Sequence, residues 1–226
     1  MRTEGCAPIR VFVQARMSSR RFPGKVLAPL AGRPMLAHVL ERCGQAFGAD
    51  RVVLATSREP SDDALAQCAE SLGYRVFRGE LDDVLSRFQH CLAAHPCDWF
   101  VRISADSPMI DPQLIVRVAS RRAPHLDLVT NVQPRTFPAG QSVEVVRSEP
   151  FAKIDPRALS ADEREHLTQV YYRNPARFKL LNVPSRDATL ARQHLTVDTP
   201  EDLRAAEQRF ATGSVPGFAD AVAEDA

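Results

Sequence analysis

Lysine is the scarcest charged residue of this chain: Lys25, Lys153 and Lys179 are the only three, against 26 arginines in 226 residues. Where a cation needs only to be solvated the chain uses arginine, so a lysine marks a place where a compact ammonium has its own use. Long apolar runs are also missing. None approaches the ~18 residues that a membrane-spanning helix requires, and the opening MRTEGCAPIR lacks the apolar core of a signal peptide. A cytoplasmic protein without membrane contact is expected. Net charge is nearly absent at +1, which argues against a nucleic-acid binder, whose basic face would leave an excess. The five cysteines (Cys6, Cys43, Cys68, Cys91 and Cys97) are odd in number, form no CxxC pair and have no histidine placed to complete a zinc site. That speaks against a disulfide framework or zinc module. Cys43, Cys68 and Cys91 fall on predicted helix faces and read as small core residues.

What the chain does contain is enough apolar residue, 44%, to bury one sizeable core with no linker dividing it. A single domain over 1–210 is expected, followed by a weakly patterned tail, 211–226, predicted to be partly disordered. Ile9 to Val13 is a short β-branched strand. Pro34 opens a helix with Leu36, Leu40, Cys43 and Phe47 on one stripe, and 51–56 is a second strand. A helix from about Ser61, with Leu65, Cys68, Ala69 and Leu72 inward, leads to a strand at 74–77. The next helix carries Val84, Leu85, Phe88 and Leu92, and 98–104 is a fourth strand. Strand and helix alternate three times, which predicts a Rossmann-like α/β fold, a mostly parallel sheet with helices on both faces. Ligands of such sheets sit outside the carboxyl ends of the strands. Further on, 161–173 reads as one helix ended by Asn174-Pro175, and 178–183 and 194–197 read as strands.

The stretch around which this pattern is organised is FVQARMSSRRFPGKVLAPLAGRPM, from Phe12 to Met35. Its strand gives way at Gln14 to a loop in which Arg16, Arg20, Arg21 and Lys25 fall within ten residues, with Ser18 and Ser19 between them and Pro23-Gly24 turning beside the lysine. Four crowded cations repel one another, so a polyanion sharing the loop makes physical sense of them. The alternative is a solvated basic loop without a ligand.

Two carboxylates stand out at the tips of predicted strands. Asp106 follows the strand VRIS, and Asp111, before Pro112, has the better claim to cap the next helix. Asp198 follows HLTV. Its neighbours Thr199, Pro200 and Asp202 are accounted for by a capping box with proline at the first helical position, and Asp198 is not. A carboxylate at a strand tip is well placed to hold Mg²⁺, which binds one or two carboxylates together with substrate phosphates.

Three segments then carry a resemblance: QARMSSRRFPGKVL, VRISADSPMIDP and LTVDTPEDL, in that order over about Ile9 to Leu203. They resemble the CMP-sugar synthetase superfamily of cytidylyltransferases, and most nearly the spore-coat polysaccharide cytidylyltransferase-like branch, related to CMP-Kdo and CMP-sialic acid synthetases. Related uridylyl- and guanylyltransferases carry a glycine-rich loop where this chain has Ala15-Arg16-Met17-Ser18-Ser19. The resemblance implies transfer of CMP from CTP to an acidic sugar with release of pyrophosphate, Mg²⁺ on Asp106 and Asp198, and a homodimer. It implies nucleotide contacts from Ala15, Arg16, Ser19, Arg20 and Lys25, with Arg16 and Lys25 catalytic. Arg87 is a further candidate, or else a helix-surface arginine.

For the acceptor the resemblance points to Gln141, Glu144, Glu165 and His166, the last as a binding residue rather than a base. The acids near the start of the 161–173 helix are equally explained as partners of its dipole. The segment 138–145 departs from the branch pattern, with Ala139 and Ser142 where acids are usual. A non-sugar acceptor, such as a phosphonate or polyol phosphate, therefore stays open, as does a nucleotide-binding partner without catalysis. A nucleotide-sugar glycosyltransferase is disfavoured, because Asp106-Ser107-Pro108 lacks the second acid of a DxD pair.

Overall fold

The short strand β1 (Ile9–Gln14) becomes an interior strand of a seven-stranded sheet in a computed structural model that describes residues 9–223. Cys6 lies outside the described residues. After β1 come a two-residue hairpin, β2 (Pro29–Leu30) and β3 (Arg33–Pro34), then α1 (Met35–Phe47), β4 (Val52–Ser57), α2 (Asp63–Ser71), β5 (Arg75–Gly79) and α3 (Val84–Ala94). The chain continues through β6 (Trp99–Ser104), α4 (Pro112–Ala119), β7 (Leu128–Thr130), β8 (Glu144–Arg147) and α5 (Ser148–Ala152). It closes with α6 (Ala161–Glu165), α7 (Gln169–Arg173), β9 (Leu180–Asn182) and α8 (Pro200–Ala211).

The sheet order is β5-β4-β1-β6-β8-β7-β9, parallel throughout except for β8, which runs against both its neighbours. From β1 the chain steps outward to β4 and β5, then returns to place β6 on the other side of β1. The order therefore reverses between β1 and β6, where open α/β sheets leave a crevice at their carboxyl ends. Gln14 and Ser104 are register partners there, and Ala105 N–H donates to the Gln14 carbonyl (2.9 Å), so the loops after β1 and β6 start side by side.

Alternation along the strands builds a core on each face. Val11, Val13, Val101 and Ile103 join one aliphatic cluster with Leu36, Leu40 and Leu114, whereas Phe12 and Phe100 point the other way to Phe88 and Phe151. Phe12 stacks on Phe100 at 5.1 Å and Phe100 meets Phe151 edge-on at 5.0 Å. Cys43 and Cys91 are buried and Cys68 packs partly against the core, and burial pushes all three thiols up, as inert core residues require.

Several expectations are corrected. Leu72 does not face inward: α2 ends at Ser71, and Leu72 leaves the helical stripe and is exposed. The helix expected over 161–173 is two helices, because the chain breaks at His166 to turn Leu167 and Thr168 into the core. The segment 194–197 is extended but is not a strand of the sheet. It crosses 139–141, with Leu195 N–H donating to the Ala139 carbonyl (2.8 Å). Gly140 makes that crossing possible: its φ is +96°, and a Cβ there would sit 2.6 Å from the Leu195 carbonyl carbon. The tail is docked as far as Ala223. Phe218 and Val222 are buried, and Asp111 accepts from the Phe218 and Ala219 amides at 2.6 and 3.0 Å while its other oxygen caps α4.

The capping box of α8 is formed as the sequence indicates. Asp202 accepts from the amides of Asp198 (3.0 Å) and Thr199 (2.9 Å), and Thr199 Oγ accepts from Asp202 N–H. Burial opposes ionisation of Asp202, but these hydrogen bonds outweigh it and hold the carboxyl below its usual range. Its contribution to stability is therefore complete above the ordinary carboxylate pKa and is lost as pH falls through the lowered value. Asp202→Ala is expected to cost about 1 kcal/mol at pH 7 in urea denaturation, with the gap from wild type narrowing on acidification.

Candidate active site

The loop after β1 folds about one peptide group. The Met17 carbonyl accepts from the amides of Ser19 and Gly24, both at 2.9 Å, and Gly24 takes a left-handed φ of +75° to make the return. The next three residues form a 3₁₀ turn that sends Lys25 inward, away from solvent. All three protons of its ammonium find oxygens: the Val197 carbonyl at 2.8 Å, Asp198 Oδ1 at 2.9 Å and Asp106 Oδ2 at 3.4 Å.

The two acids are 92 positions apart in sequence and are brought together by backbone as well as by charge. Val197 N–H donates to the Asp106 carbonyl (2.8 Å), and the Asp198 amide is held by Asp202. Ser107 Oγ donates to Asp106 Oδ1 (3.1 Å), and Arg21 lies 2.9 Å from Asp198 Oδ1. Among the described residues no group of three or more His, Cys, Asp and Glu could hold a metal. The donor set is thus two carboxylates, the number expected where substrate phosphates complete the shell of a hard cation. That Lys25 already bridges both acids shows them converging on one position for positive charge, so the residues fit Mg²⁺.

These side chains line a pocket of about 480 Å³ at the carboxyl ends of β1 and β6. Ala15, Arg16, Ser19, Arg20 and Lys25 reach it from the first loop, Asp106 and Asp198 from the other two segments, and Glu165 and His166 from the end of α6. Arg16 pairs with Glu165 at 3.0 Å across the pocket, and exposed His166 lies 3.8 Å from Asp162. Glu163 stays in the capping box of α6, so capping explains that acid and not Glu165. Arg20 is exposed and has no ion-pair partner among the described residues. A larger apolar groove of about 890 Å³ lies at the opposite end of the sheet beside Trp99 and Pro124. Its wall is mostly apolar and carries neither the basic loop nor the Lys25–Asp106–Asp198 cluster, so chemistry rather than size locates the site.

Three sequence-predicted site residues lie elsewhere. Arg87 is neither a pocket residue nor a surface arginine. It is fully buried, donates to the carbonyls of Glu80 (2.8 Å) and Leu81, and has Nε and Nη2 without hydrogen-bond partners among the described residues. Burial, with the Arg16 cation adding to it, lowers its pKa to about 10. Gln141 is fully buried, accepting from the Asp111 amide (2.9 Å) and donating to the Met109 carbonyl (2.7 Å); it braces the loop after β6. Glu144 is also buried, held by Arg102 and by the Tyr172 hydroxyl at 2.7 Å, and it ties β8 to α7. Neither is free to hold an acceptor.

Sequence reasoning missed Gln14 and Ser104, which form the floor of the pocket, and Arg21 as the partner of Asp198. It also missed Asp62, which reaches the first loop through Met17 N–H at 2.7 Å. The pair Asp62-Asp63 reads only as a helix start, and nothing in the sequence says which of the two turns inward.

The sequence model of the cytidylyltransferase family matches residues 10–210. The chain belongs to the cytidylyltransferases. It is 32% identical over 203 residues to the spore coat polysaccharide biosynthesis protein SpsF of Bacillus subtilis (strain 168), covering 86% of this chain and 82% of that protein. A 3-deoxy-manno-octulosonate cytidylyltransferase of Anaeromyxobacter dehalogenans (strain 2CP-1) is 32% identical over 143 residues, 62% of this chain and 57% of that one. Among solved structures, a cytidylyltransferase from Leptospira borgpetersenii serovar Hardjo-bovis (strain JB197) superposes with a TM-score of 0.86 at 28% identity, covering 91% of this chain and 87% of the other. The protein is a CTP-dependent nucleotidyltransferase of Rossmann-like fold.

Within this cytidylyltransferase, bracing residues and pocket residues separate by stability. Gln141→Ala leaves the buried Asp111 amide and Met109 carbonyl without partners and is expected to cost about 1–3 kcal/mol. Glu165→Gln breaks a half-exposed ion pair and is expected to change stability by less than about 1 kcal/mol. Urea denaturation of both variants checks the contrast.

Proposed function

We propose that this cytidylyltransferase transfers CMP from CTP to an acidic sugar, with Mg²⁺ as its metal, and releases pyrophosphate. The convergence of Lys25, Asp106 and Asp198 beside a loop of three further arginines is the observation that carries this reading. A triphosphate brings several negative charges, and the pocket offers four cations to receive them.

In the reaction the acceptor hydroxyl attacks the α-phosphorus in line and gives up its proton to solvent, the bond to the bridging oxygen breaks, and pyrophosphate leaves. The protein's work is positioning and charge neutralisation. Arg16, Arg20 and Lys25 hold the triphosphate and offset charge building on the departing pyrophosphate, Ser19 donates to a phosphate oxygen, and Ala15 lets backbone approach the nucleotide. Asp106 and Asp198 would hold Mg²⁺, which would supply Lewis-acid neutralisation of the triphosphate charge.

Glu165 and His166 are the acceptor-side residues that reach the pocket. Because Gln141 and Glu144 are committed to bracing, a phosphonate or polyol phosphate acceptor is the second reading. CTP is an intracellular substrate, so we place the reaction in the cytoplasm, in a homodimer as the family resemblance implies.

The test is pyrophosphate release from CTP and Mg²⁺ across acidic sugars, phosphonates and polyol phosphates. Release with one acceptor class, reduced roughly 100-fold or more in Asp106→Ala and in Asp198→Ala, is the expected result. Undiminished release in either variant removes that acid from the site.

A further inference from the structure

Asp62 is a fully buried carboxylate that the proposed chemistry does not use. Its Oδ2 accepts three protons, from Thr56 Oγ1 (3.0 Å), Ser57 N–H (3.1 Å) and Ser57 Oγ. Its Oδ1 accepts one, from the Met17 amide at 2.7 Å, across 45 positions of sequence. Two backbone N–H groups on separate oxygens, with two hydroxyls besides, need acceptor capacity on both arms of a short side chain. A carboxyl group has an oxygen on each arm to supply it, and an amide does not.

The position of Met17 gives this bond its meaning. The carbonyl of the same residue closes the loop through Ser19 and Gly24, Arg16 immediately precedes it, and the turn it closes delivers Lys25. A bond fixing the Met17 peptide therefore fixes the cations on both sides of it. We infer that Asp62 is a positioning residue that clamps the triphosphate-binding loop to the end of β4, so that Arg16, Ser19 and Lys25 stand in place before CTP arrives. The inference rests on the nucleotide reading of the pocket. Pre-organisation of this kind raises affinity by removing the cost of ordering the loop on binding.

Asp62→Asn separates this role from a merely structural one. An amide keeps one acceptor arm and turns the other into a donor. With three donors on the Oδ2 side and one on the Oδ1 side, the amide oxygen stays with Thr56 and Ser57 and the NH₂ group meets the Met17 N–H, donor against donor. The end of β4 stays tied and the loop alone is released. The expected result is a folded variant whose affinity for Mg·CTP, by titration calorimetry, falls roughly 10- to 100-fold, the worth of a hydrogen bond to a charged group. Amide hydrogen exchange at Met17 should speed up with it. Ser57→Ala removes one donor on the Oδ2 side and leaves the Met17 bond, so its CTP affinity should stay within about twofold of wild type.

If Asp62→Asn is folded and keeps both wild-type CTP affinity and slow exchange at Met17, the inference is wrong. Equal losses of affinity in Asp62→Asn and Ser57→Ala would overturn it too, since the effect would then be general loosening of β4. Absence of CTP binding by the wild-type protein would count against the nucleotide reading instead, and exchange at Met17 would still decide whether Asp62 clamps the loop.

Discussion

One ammonium group between two carboxylates ties this molecule's three essential segments together. Lys25 ends the loop after β1, Asp106 follows β6, and Asp198 precedes α8, and each would be a costly, half-desolvated charge without the others. The fold supplies the meeting place. Reversal of strand order between β1 and β6 opens the crevice, and the register pairing of Gln14 with Ser104 starts the first two segments together. Asp198 is delivered separately, by a crossing that Gly140 alone permits and by a capping box whose aspartate also holds the Asp198 amide.

The basic loop and the two acids that meet it were legible in the sequence because their chemistry is concentrated. Four cations within ten residues, and two acids that no capping rule explains, can be seen without a structure. The parallel sheet was legible for a similar reason: its strands are short, β-branched and punctuated, and they alternate with helices. What stayed hidden depended on direction. Nothing in the spacing says that Asp62 rather than Asp63 turns inward, that Arg87 is swallowed by the core, or that Leu167 breaks a helix whose pattern reads as continuous.

The acceptor end failed for a different reason. Gln141 and Glu144 look like free polar groups near a ligand-facing edge, yet one completes the hydrogen bonds of the loop after β6 and the other joins β8 to α7. A buried polar side chain has to satisfy its neighbours before anything else. Of the four candidates for the acceptor end, Glu165 and His166 at the break between α6 and α7 are the two that line the pocket. The Arg16–Glu165 pair links that end of the pocket to the basic loop after β1.

The most direct test of this account is an anomalous-scattering map from crystals grown with CTP and Mn²⁺ as a visible substitute for Mg²⁺. The account predicts a metal peak coordinated by Asp106 and Asp198, with the triphosphate along Arg16, Ser19, Arg20 and Lys25. A metal bound away from both carboxylates, or a triphosphate lying outside the loop after β1, would contradict it.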